Sequence, residues 1–149
     1  MSGMMTKWSI AQDRTVTDGD LGRDGYLTED ALARWIDGAI DAYLNQCVRV
    51  RQAAAEQGLV INQRLSRRPR TSLLGRPYEV LVTASATEVR PEEFVISVRL
   101  RPMGTDVDLP VNVTCRVSLE HPRTGEPAQL GTAIRDELIN LEHNAQYFS

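Results

Sequence analysis

Apolar residues recur at steps of three and four after Thr28, and charged residues occupy the other side. The apolar positions are Leu32, Trp35, Ile36, Ala39, Ile40 and Tyr43, and the polar side carries Glu29, Arg34, Asp37 and Asp41. This spacing predicts an amphipathic helix of about five turns, with Thr28 as its N-cap and acidic residues complementing the dipole in its first turn. A weaker helical segment over 49–57 is predicted to end at Gly58.

Beyond Gly58 the period of the apolar positions becomes two, which is typical of strands. Residues 78–87, 94–101 and 111–119 alternate apolar and polar side chains, and each segment is predicted to be a strand. Thr83 and Ser85 belong to the polar side of the first of them. Weaker strands are predicted over 7–16 and around 59–61. One-sided strands joined by short turns favour an antiparallel sheet whose polar face is solvated or meets a partner.

The last third of the chain contains a turn and a short helix. The segment His121-Pro-Arg-Thr-Gly-Glu-Pro127 has the composition of a turn. Residues 133–141 predict a short helix that carries Ile134, Leu138 and Leu141. No repeat, low-complexity tract or linker divides the chain. The sequence therefore predicts a single α+β domain over residues 1–149.

Composition narrows the class of protein. The chain has 149 residues, 42% of them hydrophobic, which is enough to bury about two thirds of the surface of the unfolded chain. A formal net charge of -3 argues against a nucleic acid or an anionic lipid surface as partner. No apolar run reaches the ~20 residues of a membrane span. Met1 to Thr15 lack the apolar core of a signal peptide, so we expect none here. Cys47 and Cys115 lack CxxC spacing, so we expect a reduced, cytoplasmic protein.

The densest turn chemistry lies just before the long helix. Residues 18–25 read Asp-Gly-Asp-Leu-Gly-Arg-Asp-Gly, and glycine and aspartate at this density indicate turn conformations. Aspartates in such loops commonly accept hydrogen bonds from nearby backbone N–H groups. A structural role for these carboxylates therefore stands beside any catalytic one.

The order of the elements and this loop resemble the hot-dog fold acyl-CoA thioesterases, in particular the hydroxybenzoyl-CoA thioesterase-like group. The matching stretches are Asp18-Gly-Asp20 with Gly25-Tyr-Leu-Thr-Glu-Asp-Ala-Leu-Ala-Arg-Trp35, then Gly75-Arg-Pro-Tyr-Glu-Val, Glu93-Phe-Val-Ile and Arg123-Thr-Gly-Glu-Pro-Ala. The likeness covers nearly the whole chain. It implies an antiparallel sheet wrapped around one long central helix, with a short C-terminal helix.

The resemblance also implies a thioester hydrolase that acts on acyl-CoA or an acyl carrier protein, with the coenzyme A thioester as substrate and no cofactor. Asp20 would be the nucleophile or base, with Asp18 and Asp24 as alternates. The backbone N–H near Glu29 would donate to the oxyanion, because the first N–H groups of a helix have no acceptor inside it. Gly25 and Tyr26 would lie beside the substrate.

The resemblance further implies a homodimer or homotetramer with the site between subunits. A single sheet supports this, because it leaves edges that pairing across a two-fold axis would satisfy. The run Arg67-Arg-Pro-Arg70 is either a solvated connection or a site where Arg67, Arg68 and Arg70 bind the phosphates of coenzyme A.

Two departures from the family pattern leave an alternative open. The family's catalytic carboxylate lies three residues before the loop glycine, and Gly22 occupies that position here, whereas Asp20 lies five residues before Gly25. Tyr26-Leu-Thr-Glu29 also replaces the family's His-Val-Asn-Asn. The alternative is a non-catalytic acyl-binding or assembly protein of the same fold. A hydratase or dehydratase is a third candidate, although it would usually show an Asp/His pair before the central helix.

Aromatic and histidine residues add little to the picture. Tyr26, Trp35 and Tyr43 could line an acyl channel, but aromatic residues at helical spacing are more often core, and this favours core for Trp35. His121 and His143 stand at no metal-ligand spacing, so no metal site is predicted.

Overall fold

The computed structural model describes residues 9–25, 27–67, 79–103, 113–142 and 145–148, except for the side chain of Arg67. In these residues a short 3-10 helix, Asp18–Asp20, follows the first strand. The other elements are β1 (Ile10–Thr15), α1 (Glu29–Gln46), α2 (Val48–Gln57), β2 (Val60–Arg67), β3 (Glu79–Val89), β4 (Phe94–Pro102), β5 (Val113–Glu120), α3 (Thr132–Leu141) and β6 (Gln146–Tyr147).

The strands form one sheet in the order β1-β3-β4-β5-β2, and neighbours along this path are antiparallel. β1 pairs with residues 79–84 of β3, and the two-residue β6 pairs parallel with residues 88–89 of the same strand. α1 packs against β3, β1 and β4. The predicted α+β class with an antiparallel sheet is confirmed.

α1 is the predicted amphipathic helix. Thr28 caps it, and its Oγ1 accepts a hydrogen bond from Ala31 N at 3.1 Å. The buried residues of α1 are Ala31, Leu32, Trp35, Ile36, Ala39, Ile40, Tyr43 and Leu44. With 18 residues it is about 27 Å long, five turns as predicted, although it is not an especially long helix.

The chain turns at Cys47, which ends α1 and precedes α2. α2 ends at Gly58, whose φ of 65° lies in the left-handed region that favours glycine. The predicted helix stop at this glycine is confirmed.

The core lies between α1 and the apolar face of the sheet. Its strand residues are Val80, Val82, Ala84 and Ala86 of β3, Phe94, Ile96, Val98 and Leu100 of β4, and Val113, Cys115, Val117 and Leu119 of β5. These are the apolar positions that the period of two predicts. Trp35 of α1 lies among them and is a core residue, as expected.

The other face of β3 is a correction to the predicted pattern. The alternation predicts Thr83 and Ser85 on a polar face, whereas the structure buries them to 4% and 8% exposure. β3 lies inside the sheet between β1 and β4. Thr83 pairs with Ala11 on one side and with Arg99 on the other. The first strand is also shorter than predicted, since it begins at Ile10, and residues 1–8 lie outside the described part.

The two cysteines are free and buried. Burial raises the pKa of the Cys47 thiol to about 12 and that of Cys115 to about 11, so both stay protonated near neutral pH.

The turn before α3 has Gly125 at a φ of 73°, and α3 buries Ile134 and Leu138 as predicted. Across the described residues no helix has the length and apolar character that a membrane crossing requires.

Candidate functional site

The loop between β1 and α1 is folded around the carboxylate of Asp20. Its Oδ2 accepts hydrogen bonds from Thr17 N at 2.9 Å and from Thr17 Oγ1 at 3.0 Å. Its Oδ1 accepts a hydrogen bond from Arg34 Nη2 at 2.9 Å. The Asp20 side chain is 10% exposed and that of Arg34 is 64% exposed. This carboxylate therefore joins the start of the loop to the side of α1.

The backbone of Asp20 reaches the N-terminus of α1 directly. Its carbonyl oxygen accepts a hydrogen bond from Thr28 N at 2.9 Å, and Leu21 and Leu27 form an antiparallel bridge beside it. Leu27 is fully buried and anchors this end of the loop in the core. Asp20 and the N-cap of α1 are thus neighbours in space, although eight residues separate them in the sequence.

Gly25 turns the chain back toward α1. Its N–H donates to Gly22 O at 3.1 Å, and its φ of 81° lies in the region that residues with a Cβ rarely adopt. A glycine is required here by the turn itself, so its presence gives no separate evidence of substrate contact.

Hydrogen bonding keeps Asp20 ionised. Burial raises the pKa of this carboxyl, but the hydrogen bonds from Thr17 N, Arg34 and Thr17 Oγ1, with the positive charge of Arg34, outweigh burial and hold the pKa below its ordinary value of 3.8. At neutral pH Asp20 is therefore a carboxylate and a weak proton acceptor.

The other predicted catalytic residues lie on the same loop and helix start. Asp18 and Asp24 are exposed. Glu29 is the first residue of α1, so its backbone N–H lies at the positive end of the helix dipole. Of the three loop aspartates, Asp20 contacts the start of α1 through the hydrogen bond from Thr28 N. Tyr26 lies outside the described residues.

Within one chain, the backbone of Arg67 lies at the edge of the sheet that is opposite to this loop. Arg67 ends β2, Arg68 and Arg70 lie outside the described residues, and β1 and β2 are opposite edges of the sheet. Four strand spacings separate the two edges, which is about 19 Å along the sheet.

The sequence patterns do not predict the roles of Thr17 and Arg34. Thr17 precedes Asp20 by three residues, which is the spacing of a capping box, and this pattern could have indicated the local hydrogen bonds. The helical period predicts only that Arg34 lies on the polar side of the helix. Its pairing with Asp20 depends on how the loop folds back against α1.

A second buried carboxylate, Glu142, was also missed. Its Oε2 accepts hydrogen bonds from Tyr43 Oη at 2.8 Å and from Ala86 N at 2.7 Å, and the residue is buried. Burial and the negative charge of Glu142 raise the pKa of Tyr43. Ala86 borders the irregularity in the pairing of β3 with β4. Tyr43 is therefore a core residue whose hydroxyl holds the segment after α3 against the sheet.

No group of three or more His, Cys, Asp or Glu side chains within the described ranges is arranged to hold a metal ion. His121 lies in the turn before α3 and His143 lies outside those ranges.

No protein-family model matches this chain, and no curated protein matches it in sequence. Solved structures do match it in fold. A thioesterase from Thermus thermophilus, solved with coenzyme A and zinc, has a TM-score of 0.63 at 16% identity, and the match covers 93% of this chain and 98% of that one.

Two further structures give the same result. The probable thioesterase YbaW from Escherichia coli has a TM-score of 0.60 at 10% identity, over 88% of this chain and 97% of that one. The 4-hydroxybenzoyl-CoA thioesterase from a Pseudomonas strain has a TM-score of 0.56 at 20% identity, over 86% and 97%. The likeness extends over nearly the whole chain and confirms the predicted hot-dog fold.

Proposed function

We propose that this protein hydrolyses acyl thioesters, with coenzyme A or an acyl carrier protein as the thiol carrier. The observation that carries the proposal is the hydrogen bond from Thr28 N to the carbonyl oxygen of Asp20, because it holds the one buried carboxylate of the loop beside the start of α1. The fold shared with solved thioesterases, one of which holds coenzyme A, supports this substrate class.

The reaction would use the two groups that meet there. The Asp20 carboxylate attacks the thioester carbonyl carbon, or it activates a water molecule that does so. Its lowered pKa makes Asp20 a weak proton acceptor, so direct attack is the one of these two routes that does not require Asp20 to take a proton. The backbone N–H of Glu29 donates to the oxyanion that forms. The carrier thiolate then leaves, and water hydrolyses the resulting anhydride to the free acid and Asp20.

Acyl-thioester binding without hydrolysis is the second candidate. Gly22 occupies the position of the family's carboxylate, and three hydrogen bonds from Thr17 and Arg34 engage both oxygens of Asp20. Each donor stabilises the charge on the carboxylate and makes it a weaker nucleophile. A protein that retained the fold and used Asp20 as a structural contact would have this geometry.

We also propose that two copies pair through β2. In the described part of the chain this edge strand pairs with β5 alone, and it exposes Val60 at 51% and Leu65 at 46%. An exposed edge with apolar side chains is a template for pairing with another strand. Tyr26, Arg67, Arg68 and Arg70 stay proposed substrate contacts.

The experiment is a panel of acyl-CoA and acyl-carrier-protein thioesters, from short aliphatic to aromatic to long-chain, incubated with the purified protein. Free thiol release reports hydrolysis, and calorimetric titration with the same acyl groups on non-hydrolysable carriers reports binding. Thiol release from any member supports the hydrolase. Binding without release supports the second candidate, and neither result in a folded protein contradicts both.

A further inference from the structure

β1 runs beside one ridge of α1. The ridge consists of Arg34, Gly38, Ala42 and Gln46, which share one face because they recur every four residues. At one end Arg34 pairs with Asp20, which follows β1. At the other end Gln46 Nε2 donates to Ser9 O at 3.2 Å, just before β1. The middle of the ridge carries two small residues.

Arg14 of β1 faces that middle. Side chains on β1 alternate between half-buried and exposed, and Arg14 shares the half-buried side with Ile10 and Gln12. Its Nη2 donates to Gln12 Oε1 at 2.9 Å. Its Nε is buried and has no hydrogen-bond partner, and no other buried side-chain nitrogen or oxygen in the described residues is left in this state.

Gly38 provides the space for this guanidinium. A Cβ at position 38 would lie 3.1 Å from Arg14 Nη2 and 3.9 Å from Gln12 Oε1. Glycine is unfavourable in the interior of a helix, so a glycine in the middle of α1 needs a packing reason. The close approach of Arg14 supplies one.

The charge of Arg14 is not matched inside the described part of the chain. Its contact there is the neutral amide of Gln12, and it forms no ion pair with a described carboxylate. By contrast, the charge of Arg34 is matched by the carboxylate of Asp20. Arg34 lies one helical turn, or about 6 Å, from Gly38 along α1. Burying a cation whose N–H has no hydrogen-bond partner costs free energy, unless an acceptor oxygen binds that N–H.

We propose that Arg14 and Gln12 form a binding site for an anionic oxygen group, a carboxylate or a phosphate, between β1 and α1. A guanidinium presents several N–H donors in a planar fork that matches such groups. Gln12 accepts from Arg14 through Oε1, so its amide nitrogen has donors for a second oxygen of the same anion. The site lies one helical turn from the Asp20–Arg34 pair and does not depend on thioester hydrolysis.

The test is calorimetric titration of the full-length protein with inorganic phosphate and, separately, with succinate. Variants Arg14→Met and Gly38→Ala are compared with Arg123→Met, which removes an exposed arginine from the turn before α3. We expect the dissociation constant to rise at least tenfold in Arg14→Met and several-fold in Gly38→Ala, and to stay unchanged in Arg123→Met. Binding of phosphate alone or of succinate alone identifies the group.

Thermal unfolding separates binding from a structural role. The anion should raise the unfolding midpoint of the wild type and of Arg123→Met but not that of Arg14→Met, whatever the midpoint of each variant without anion. If Arg14→Met does not fold, Gly38→Ala becomes the variant whose affinity is compared with that of the wild type, since it retains the charge of Arg14 and displaces its guanidinium. Equal affinity in wild type and the decisive variant, or no binding of either anion by the folded wild type, overturns the proposal.

Discussion

The guanidinium of Arg34 donates a hydrogen bond to the carboxylate of Asp20 at 2.9 Å and thereby ties the loop after β1 to the second turn of α1. Thr17 supplies the other two donors to the same carboxylate. Asp20 is consequently a structural contact and also the leading candidate for the catalytic carboxylate. Stability and activity measurements on the same variants separate the two roles.

The first prediction concerns stability and pH. Asp20→Asn removes a charge that three hydrogen bonds stabilise. At neutral pH we expect it to lower the free energy of unfolding by about 1–2 kcal/mol, which is a small value because solvent screens the exposed side chain of Arg34. The folded-state pKa of Asp20 is depressed, so its stabilisation is present above the unfolded-state pKa of about 4 and is lost as the pH falls through the folded-state value.

Chemical denaturation of wild type and Asp20→Asn from pH 7 down to pH 3 measures this. The difference between the two should shrink as the pH falls below about 4. Asp136→Asn, which removes an exposed carboxylate of α3, is the control and should follow the wild type at every pH. A constant gap between wild type and Asp20→Asn would show that the charge of Asp20 contributes no stability.

The second prediction concerns the buried pair of Tyr43 and Glu142. Glu142→Ala leaves the Tyr43 hydroxyl and Ala86 N without their acceptor, and each unsatisfied buried donor costs about 1–3 kcal/mol. We expect the free energy of unfolding to fall by roughly 3 kcal/mol in Glu142→Ala and by about 1 kcal/mol in Tyr43→Phe. The second loss is smaller because Tyr43→Phe removes the hydroxyl donor itself and leaves no unsatisfied donor at position 43.

Equilibrium unfolding of both single variants and of the double variant completes this test. In the double variant the loss should be smaller than the sum of the two single losses, because the two residues share one hydrogen bond. Additive losses would mean that the contact between Tyr43 and Glu142 contributes nothing to stability.

The third prediction concerns assembly through β2. Lysine on an exposed edge strand opposes pairing with another strand, so Val60→Lys combined with Leu65→Lys should convert the proposed dimer to a monomer. Ile139→Lys replaces an apolar residue of equal exposure to Leu65, 46% in each case, but on α3, and should leave the dimer intact. Size-exclusion chromatography with light scattering measures both. A monomeric wild type, or dissociation by Ile139→Lys alone, contradicts the β2 interface.

Much of the fold could be predicted from the sequence because its signals are local. The helical period after Thr28, the stop at Gly58 and the alternation along β4 and β5 each follow from neighbouring residues. The burial of Thr83 was not predictable in this way, since it depends on β3 lying between two other strands. A period of two identifies the faces of a strand but not what covers them.

The candidate site was predictable only in part. The loop composition identified Asp20, and the resemblance suggested its chemistry. The partner Arg34 and the buried Glu142 come from contacts across 14 and 99 residues of sequence, and such contacts exist only after the chain has folded. The same holds for Arg14 against Gly38, where the glycine has no local turn to explain it.

The most direct test of the central claim is the rate of thioester hydrolysis by Asp20→Asn, measured as free thiol release with the best substrate of the panel. Asp18→Asn and Asp24→Asn are the matched loop controls, and circular dichroism verifies that each variant is folded. We expect Asp20→Asn to lose at least about a hundredfold in kcat, while both controls retain activity within a few-fold of the wild type. Wild-type hydrolysis by a folded Asp20→Asn would contradict the account and leave Asp20 as a structural contact alone.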